Sequence, residues 1–290
     1  MSSAADRLRA LLRGGDLLVM PCCFDALSAR LIEQEGFPLT FMSGFAASAA
    51  RIGAPDLGLM SYGEVLDQLR DITGAVSIPV LGDGDTGYGN AMNVRRTVSG
   101  FAAAGAAAVM IEDQLAPKRC GHTKGKEVVG REEAFDRIRA AVDARDAGAD
   151  ILILARTDAR REHGLGEAIE RAAAFHELGA DILFVEAPAS EAEMRTICAE
   201  LPGVKMANML EGGATPDLPP EELQQIGFGI AAYPLSLISS AMKAMLETLR
   251  RLKQGAPRDD LVLDFADMRA RIGFEDYYRM AARYASSKRD

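Results

Sequence analysis

The sequence predicts an α/β chain folded as a (β/α)8 TIM barrel with a C-terminal helical extension. Three observations carry that reading. Eight short, continuously apolar runs recur along the chain, each bounded by turn residues and followed by a helix-like pattern. Three of their lead-ins are closely similar: AAAGAAAVMIED, AGADILILARTD and LGADILFVEAP. Acidic or arginine residues also stand at the C-terminal ends of successive runs, where a parallel barrel places its chemistry.

The runs are LLVMPC (17–22), PLTFMSG (38–44), IPVLGDGD (78–85), AAVMIED (107–113), ILILARTD (151–158), ILFVEAP (182–188), KMANML (205–210) and FGIAAYP (228–234). Continuous rather than alternating hydrophobicity is what strands covered on both faces require, so the sheet is parallel. Helical patterns lie between the runs, at 64–75, 93–105, 131–148 and 167–179. Gly105, Gly148 and Gly179 fall where helix C-caps precede the next strand. A doubly wound open sheet is the alternative. However, no G-x-G-x-x-G follows the first run, and GDGDTGYG (82–89) carries acids that would repel a pyrophosphate. A GxxxxGK[ST] phosphate loop is also absent. No composition shift marks a second domain, so residues 1–290 read as one barrel domain whose helical tail begins at about 241. Apolar residues of that tail suit either the bottom of their own barrel or a neighbouring subunit.

Composition narrows the function. Hydrophobic residues make up 48% and charged residues 26% of the 290, which excludes a disordered or fibrous chain. A net charge of −9 disfavours nucleic acid and anionic membranes as partners, while an anionic substrate would need local cations or a metal. The first fifteen residues form a charged amphipathic stretch without a signal peptide's apolar centre, and no apolar run approaches the roughly 20 residues of a membrane span. Cys22, Cys23 and Cys198 lack metal-type spacing and read as buried small hydrophobes in a reducing cytoplasm.

The polar residues at the run ends are Ser43 and Gly44, Asp83 and Asp85, Glu112 and Asp113, Arg156 and Asp158, Glu186, and Asn208 with Glu211. Burying so many carboxylates together is costly without a compensating cation. A hard divalent ion fits: Mg²⁺, with Mn²⁺ as a substitute, takes one or two carboxylates and receives the rest from water and substrate oxygens. Asp85 is the expected direct ligand, with Asp83 and Glu112 acting directly or through water. For Asp83 and Asp85 the competing reading is an acidic turn capping a helix. Such a metal site holds a bidentate 2-oxo or 2-hydroxy carboxylate and stabilises an oxyanion formed on it.

The loop after the fourth run reads APKRCGHTKGKEVVG (116–130). Its Cys120 is flanked by Lys118, Arg119 and His122, and nearby cations favour the thiolate and lower the cysteine pKa, which makes the thiol a competent proton donor or nucleophile at neutral pH. Gly121 and Gly125 suit a segment that opens and closes. The competing reading is a surface loop with an incidental cysteine. His163 and His176 lie on helical patterns and are assigned no role.

Taken together, MSGFAAS (42–48), GAPDLGLMS (53–61), GDGDTGYGN (82–90), IEDQ (111–114), PKRCGH (117–122), ARTDA (155–159), VEAP (185–188) and NMLEGG (208–213) resemble the isocitrate lyase and phosphoenolpyruvate mutase superfamily over nearly the whole chain. The KRCGH element (118–122) is similar to the lyase branch, since phosphonate mutases and hydrolases generally lack that cysteine. The resemblance implies a barrel whose last helix is swapped between subunits of a homotetramer built as a dimer of dimers. It also implies Mg²⁺ and cleavage of a C–C bond in a 2-hydroxy di- or tricarboxylate. Carried over by position, Asp85 would bind the metal, with Asp56, Asp83 and Glu112 holding its waters. Ser43, Gly44, Phe45, Gly121, His122, Arg156, Asn208 and Glu211 would contact substrate. The catalytic set would be Cys120, Lys118, His122, Arg156 and Glu186, with Cys120 as the acid that protonates the departing enolate.

Two positions depart from isocitrate and methylisocitrate lyases: Phe41 replaces a Tyr and Met110 a His. Neither side chain can form those hydrogen bonds, so the base is not identified. NMLEGG is more similar to dimethylmalate lyase, petal death protein and oxaloacetate hydrolases. The expected activity is therefore retro-aldol cleavage of a 2-alkylmalate-type acid to a 2-oxo acid and a carboxylate. Oxaloacetate hydrolysis, methylisocitrate cleavage, carboxyphosphonoenolpyruvate phosphonomutase chemistry and a non-catalytic barrel are the alternatives.

Overall fold

The computed structural model describes residues 2–118 and 127–284. Residues Met1–Ile238 form one compact unit and Ser239–Asp290 a second. The chain runs α1 (Ala4–Arg13), β1 (Leu18–Cys23), α2 (Ala26–Gln34), β2 (Thr40–Met42), α3 (Gly44–Ile52), α4 (Tyr62–Ala75), β3 (Val80–Asp83), α5 (Ala91–Ala103) and β4 (Ala108–Glu112). It continues through α6 (Arg131–Asp146), β5 (Leu152–Thr157), α7 (Arg160–Glu177), β6 (Ile182–Val185), α8 (Glu191–Glu200), β7 (Val204–Asn208), α9 (Pro220–Ile226) and β8 (Ile230–Tyr233). Helices α10 (Ser236–Gln254), α11 (Phe265–Ile272) and α12 (Phe274–Tyr284) complete it. The eight strands pair in sequence order, all parallel, and β8 closes on β1. Each apolar run therefore became a strand of one (β/α)8 barrel.

Alternation along each strand separates two cores. The outward residues of β4 and β5, Val109, Ile111, Ile153 and Ala155, pack with helix residues such as Phe101, Ile138 and Phe175. The inward residues, Ala108, Met110, Leu152 and Leu154, join Met20, Phe41, Leu81, Phe184, Met206 and Ile230 inside the barrel. Strands sandwiched this way have no solvent-facing side, which explains why their sequences do not alternate. Gly105, Gly148 and Gly179 adopt the left-handed backbone just past the ends of α5, α6 and α7, at φ of +87°, +115° and +103°.

The amphipathic N-terminal stretch has a definite task that its sequence did not disclose. It forms α1, capped by Ser3, whose hydroxyl accepts from the Asp6 N–H at 3.0 Å. Ala5 and Leu8 are buried and belong to the barrel's interior cluster, together with Leu18 at the start of β1. Helix α1 thus plugs the N-terminal end of the barrel. Cys22 and Cys23 are buried as expected, whereas Cys198 is only partly so.

Leu8 is fully buried, and removing its side chain leaves a cavity beneath the inner layer. Leu8→Ala is expected to lower the unfolding free energy by about 2–5 kcal/mol in urea titrations, leaving ligand affinity at the opposite mouth unchanged.

Candidate active site

Inward parity continues past the strand ends and sets the composition of the barrel's C-terminal mouth. Phe41, Met110, Phe184, Met206 and Ala232 form an apolar floor. Two residues further along their strands come Ser43, Glu112, Glu186, Asn208 and Pro234, and Asp83 and Arg156 follow the same parity from Leu81 and Leu154. The cleft is lined by that floor together with Ser43, Gly44, Phe45, Asp56, Asp83, Arg156, Glu186 and Asn208. Asp85 lines an adjoining recess with Asp56, Asp83 and Tyr88.

Ser43 caps α3, its hydroxyl accepting from the Ala46 N–H at 3.3 Å, so the positive end of this helix opens at the cleft. The Gly44 N–H donates to Asp83 Oδ2 at 3.2 Å, and a Cβ at Gly44 would collide with that carboxylate. Asp83 Oδ1 accepts from the Asp85 N–H at 3.0 Å, and Glu112 N–H donates to the Asp85 carbonyl at 3.0 Å. These bonds hold Asp85 in the left-handed region at φ +50°, with Tyr88 at +60° and Ala187, next to Glu186, at +55°. Non-glycine residues enter this region at a cost, and such strain gathers at functional sites.

Two cations divide the carboxylates into two groups. Lys118 sits among Asp56 (3.0 Å), Asp83 (3.8 Å) and Asp85, which it contacts most closely. Arg156 is gripped in bidentate fashion by Asp158, Nε to Oδ2 at 2.8 Å and Nη2 to Oδ1 at 2.9 Å. It also approaches Glu112 at 3.2 Å and Glu186 at 3.4 Å, and its guanidinium lies 5.5 Å from the centre of the Phe184 ring. Six carboxylates therefore face two cations, a formal excess of four negative charges. The consequences show in the acidities. Burial pushes Asp85 up to about 7, against the pull of Lys118 and with further push from Asp83 and Asp56. Burial likewise drives Glu112 well above the carboxylate range despite Arg156. Both Glu112 carboxylate oxygens are buried and accept no hydrogen bond. A divalent cation with its water shell would answer both the charge excess and these oxygens, which have only the Arg156 ion pair and no hydrogen bond, so the residues present fit one. Among the described residues no three His, Cys, Asp or Glu side chains form a ready-made metal cage. Magnesium does not require one, because waters and substrate supply most of its ligands.

The loop that follows β4 leaves the barrel through a pinned neck. Leu115 N–H donates to Glu127 O at 2.8 Å and Val129 N–H to Asp113 O at 2.9 Å, with Gln114 bridging Val128 in antiparallel sense. Arg137 on α6 donates to the Glu112 and Gln114 carbonyls at 3.1 and 2.8 Å. Arg171 on α7 bonds Val129 O at 2.9 Å and Asp113 at 3.0 Å. Asp113 in turn accepts from Thr157 Oγ1 and the Asp158 N–H, at 2.7 and 2.8 Å. A single buried network thus joins the loop's neck to the carboxylate that orients Arg156.

Of the residues expected from sequence, Ser43, Gly44, Phe45, Asp56, Asp83, Arg156, Glu186 and Asn208 line the cleft. Asp85 is in the adjoining recess, and Glu112 lies behind Arg156. Glu211 is exposed, bonded to Ser236 and outside the lining. Cys120, Gly121 and His122 lie outside the described residues. Sequence reasoning missed the floor residues Phe184, Met206 and Ala232, which period-two counting back from the strand ends would have found. It also missed Arg137 and Arg171, whose only sequence signal is a charge within a helical pattern.

The sequence pattern of the family described as Phosphoenolpyruvate phosphomutase matches residues 8–253. The chain belongs to this family. It is 41% identical over 291 residues to 2,3-dimethylmalate lyase of Eubacterium barkeri, covering 99% of this chain and 100% of that one. Its fold superposes on an oxaloacetate acetylhydrolase structure in complex with the inhibitor 3,3-difluorooxalacetate with a TM-score of 0.94, at 34% identity and 99% coverage of both chains. A phosphonopyruvate hydrolase complexed with oxalate and Mg²⁺ gives 0.87 at 31% identity, covering 98% of this chain and 100% of the other. As a family member the chain is an enzyme of the phosphoenolpyruvate mutase and isocitrate lyase superfamily.

The raised pKa of Asp85 has a signed consequence in metal-free protein. A carboxyl near 7 when folded and about 3.9 when unfolded makes the folded state bind the extra proton, so its contribution to stability is full below the unfolded value and is lost as pH rises through 7. Asp85→Asn removes that loss. The melting temperature of the variant minus that of wild type is therefore expected to rise between about pH 4 and 7 and then level off.

Proposed function

We propose that this family member is a divalent-metal-dependent carbon–carbon lyase that cleaves a 2-alkylmalate-type 2-hydroxy dicarboxylate into a 2-oxo acid and a carboxylate. The observation that carries the substrate class is the division of the cleft into a charged ring above an apolar floor. Phe41 and Met110 offer a third carboxylate no hydrogen bond, whereas alkyl groups gain by leaving water there. Two carboxylates have natural seats, one at the α3 N-terminus beside Ser43, Gly44 and Phe45 and one at the edge of the Arg156 guanidinium that Asp158 does not grip.

Asp85, with Asp56, Asp83 and Glu112 acting directly or through water, would hold the Mg²⁺ or Mn²⁺ ion. When bound, it supplies Lewis-acid stabilisation of the oxyanion on the 2-oxo acid. In the retro-aldol step the 2-hydroxyl loses its proton to a base, the C2–C3 bond breaks, and C2 becomes the carbonyl carbon. The bonding pair remains on C3 as an enolate of the second carboxylate. Cys120 gives its proton to C3, and Lys118, His122 and Arg156 bear on the charge that develops. Asp158 fixes the guanidinium plane of Arg156 while this happens. Glu186 sits at the cleft wall beside Arg156, and Asn208 can hydrogen-bond the substrate from the end of the neighbouring strand β7.

A second reading, hydrolysis of oxaloacetate, is favoured by the likeness to oxaloacetate acetylhydrolase. Screening 2-alkylmalates, 2-methylisocitrate, isocitrate and oxaloacetate with Mg²⁺ separates these activities by the oxo acid or oxalate released. A 2-alkylmalate should turn over fastest; turnover of oxaloacetate alone would overturn the lyase reading. Cys120→Ser is expected to lower kcat for cleavage by roughly 10²-fold or more while oxalate affinity stays within twofold of wild type.

Subunit association is part of the same proposal, as is a cytoplasmic setting. Among the described residues no helix is long and apolar enough to cross a membrane. The unit from Ser239 onward exposes Met245, Leu249, Phe265, Tyr277 and Tyr278, each by more than half. Apolar surface on this scale suits burial against a second copy, in a homotetramer built as a dimer of dimers. Light scattering should give four times the 31.0 kDa chain mass.

A further inference from the structure

Lys118 occupies an unusual position for a cation that the proposed reaction would place near substrate. It is only 5% exposed, and its ammonium is enclosed by carboxylates of three separate segments: Asp56 before α4, Asp83 at the end of β3, and Asp85 in the following turn. Those three are the same side chains that the metal reading assigns to the divalent ion. Both Asp56 oxygens lie 3.0 Å from the Lys118 nitrogen. An ammonium and a hard metal ion compete for the same anionic oxygens and repel each other at such distances.

We propose that Lys118 is a built-in counter-ion for the divalent-cation seat, and that its ammonium must leave Asp56, Asp83 and Asp85 for the metal to enter. The inference rests on the metal reading and adds an exchange to it. Without metal, Lys118 neutralises part of the acidic cluster and keeps it tolerable in the fold. When the metal takes its place, the ammonium is freed from that cluster. The affinity measured for metal is then the intrinsic affinity reduced by the fraction of molecules whose seat is open.

Mn²⁺ titration followed by electron paramagnetic resonance, in the absence of substrate, tests the exchange in wild type and in Lys118→Met. If the ammonium fills the seat nine-tenths of the time, the variant should bind Mn²⁺ about tenfold more tightly. Its metal-free melting temperature should fall, and Mn²⁺ should raise it by more than it raises that of wild type. A second measurement needs no variant. Reductive methylation of wild type, read by mass spectrometry, should find Lys118 protected without metal and reactive once Mg²⁺ is added. Equal Mn²⁺ affinities, or labelling of Lys118 that ignores Mg²⁺, would overturn the exchange while leaving the metal reading intact. Failure of both proteins to bind Mn²⁺ at millimolar concentration would overturn the metal reading itself.

Discussion

Closing eight parallel strands into a barrel forces every second side chain into a shared interior, and the remaining features of this protein follow from that constraint. Along six of the eight strands the inward positions are apolar until the C-terminal end, where they become Ser43, Asp83, Glu112, Arg156, Glu186 and Asn208. One rule of alternation thus packs the core, builds the apolar floor and delivers the charged ring. The helices reinforce this order by covering the outward positions, and two of them also donate Arg137 and Arg171 to the neck of the loop after β4. Fold and site are not separable here, because a residue's chemical task depends on how far along its strand it stands.

The ring makes sense only as an electrostatic compromise. Buried carboxylates outnumber buried cations, and each cation is shared among several of them. Removing one partner from such an arrangement is more damaging than the mean value of an ion pair suggests, since it leaves an uncompensated charge in a poorly hydrated place. The Glu112 oxygens, which accept no hydrogen bond, and the left-handed backbone at Asp85 belong to the same compromise. A protein selected for stability alone would have little reason to gather these groups.

Much of this was legible in the sequence. The eight strands were visible because short, continuous apolar runs set off by turns and helical patterns are what a sheet buried on both faces requires. Site residues at strand ends, such as Asp83 and Arg156, were visible because barrel chemistry has a fixed address. Other features depend on contacts that no local pattern encodes. The role of α1 rests on Leu8 meeting the underside of the inner layer, and Leu8 looks like any leucine of a surface helix. Arg171 was hidden for the converse reason: a helical arginine is usually solvated, yet this one is buried against Asp113. Lys118 reads as one more loop cation until Asp56, more than sixty residues earlier in the chain, is brought beside it.

The plug formed by α1 also fixes the traffic of small molecules. With Ala5 and Leu8 sealing the N-terminal end, the barrel is a blind well and not a tunnel, and everything that enters must leave by the same mouth. In the proposed cleavage a fragment seated on the apolar floor shares its one exit with the next substrate molecule, and the two compete for the same space.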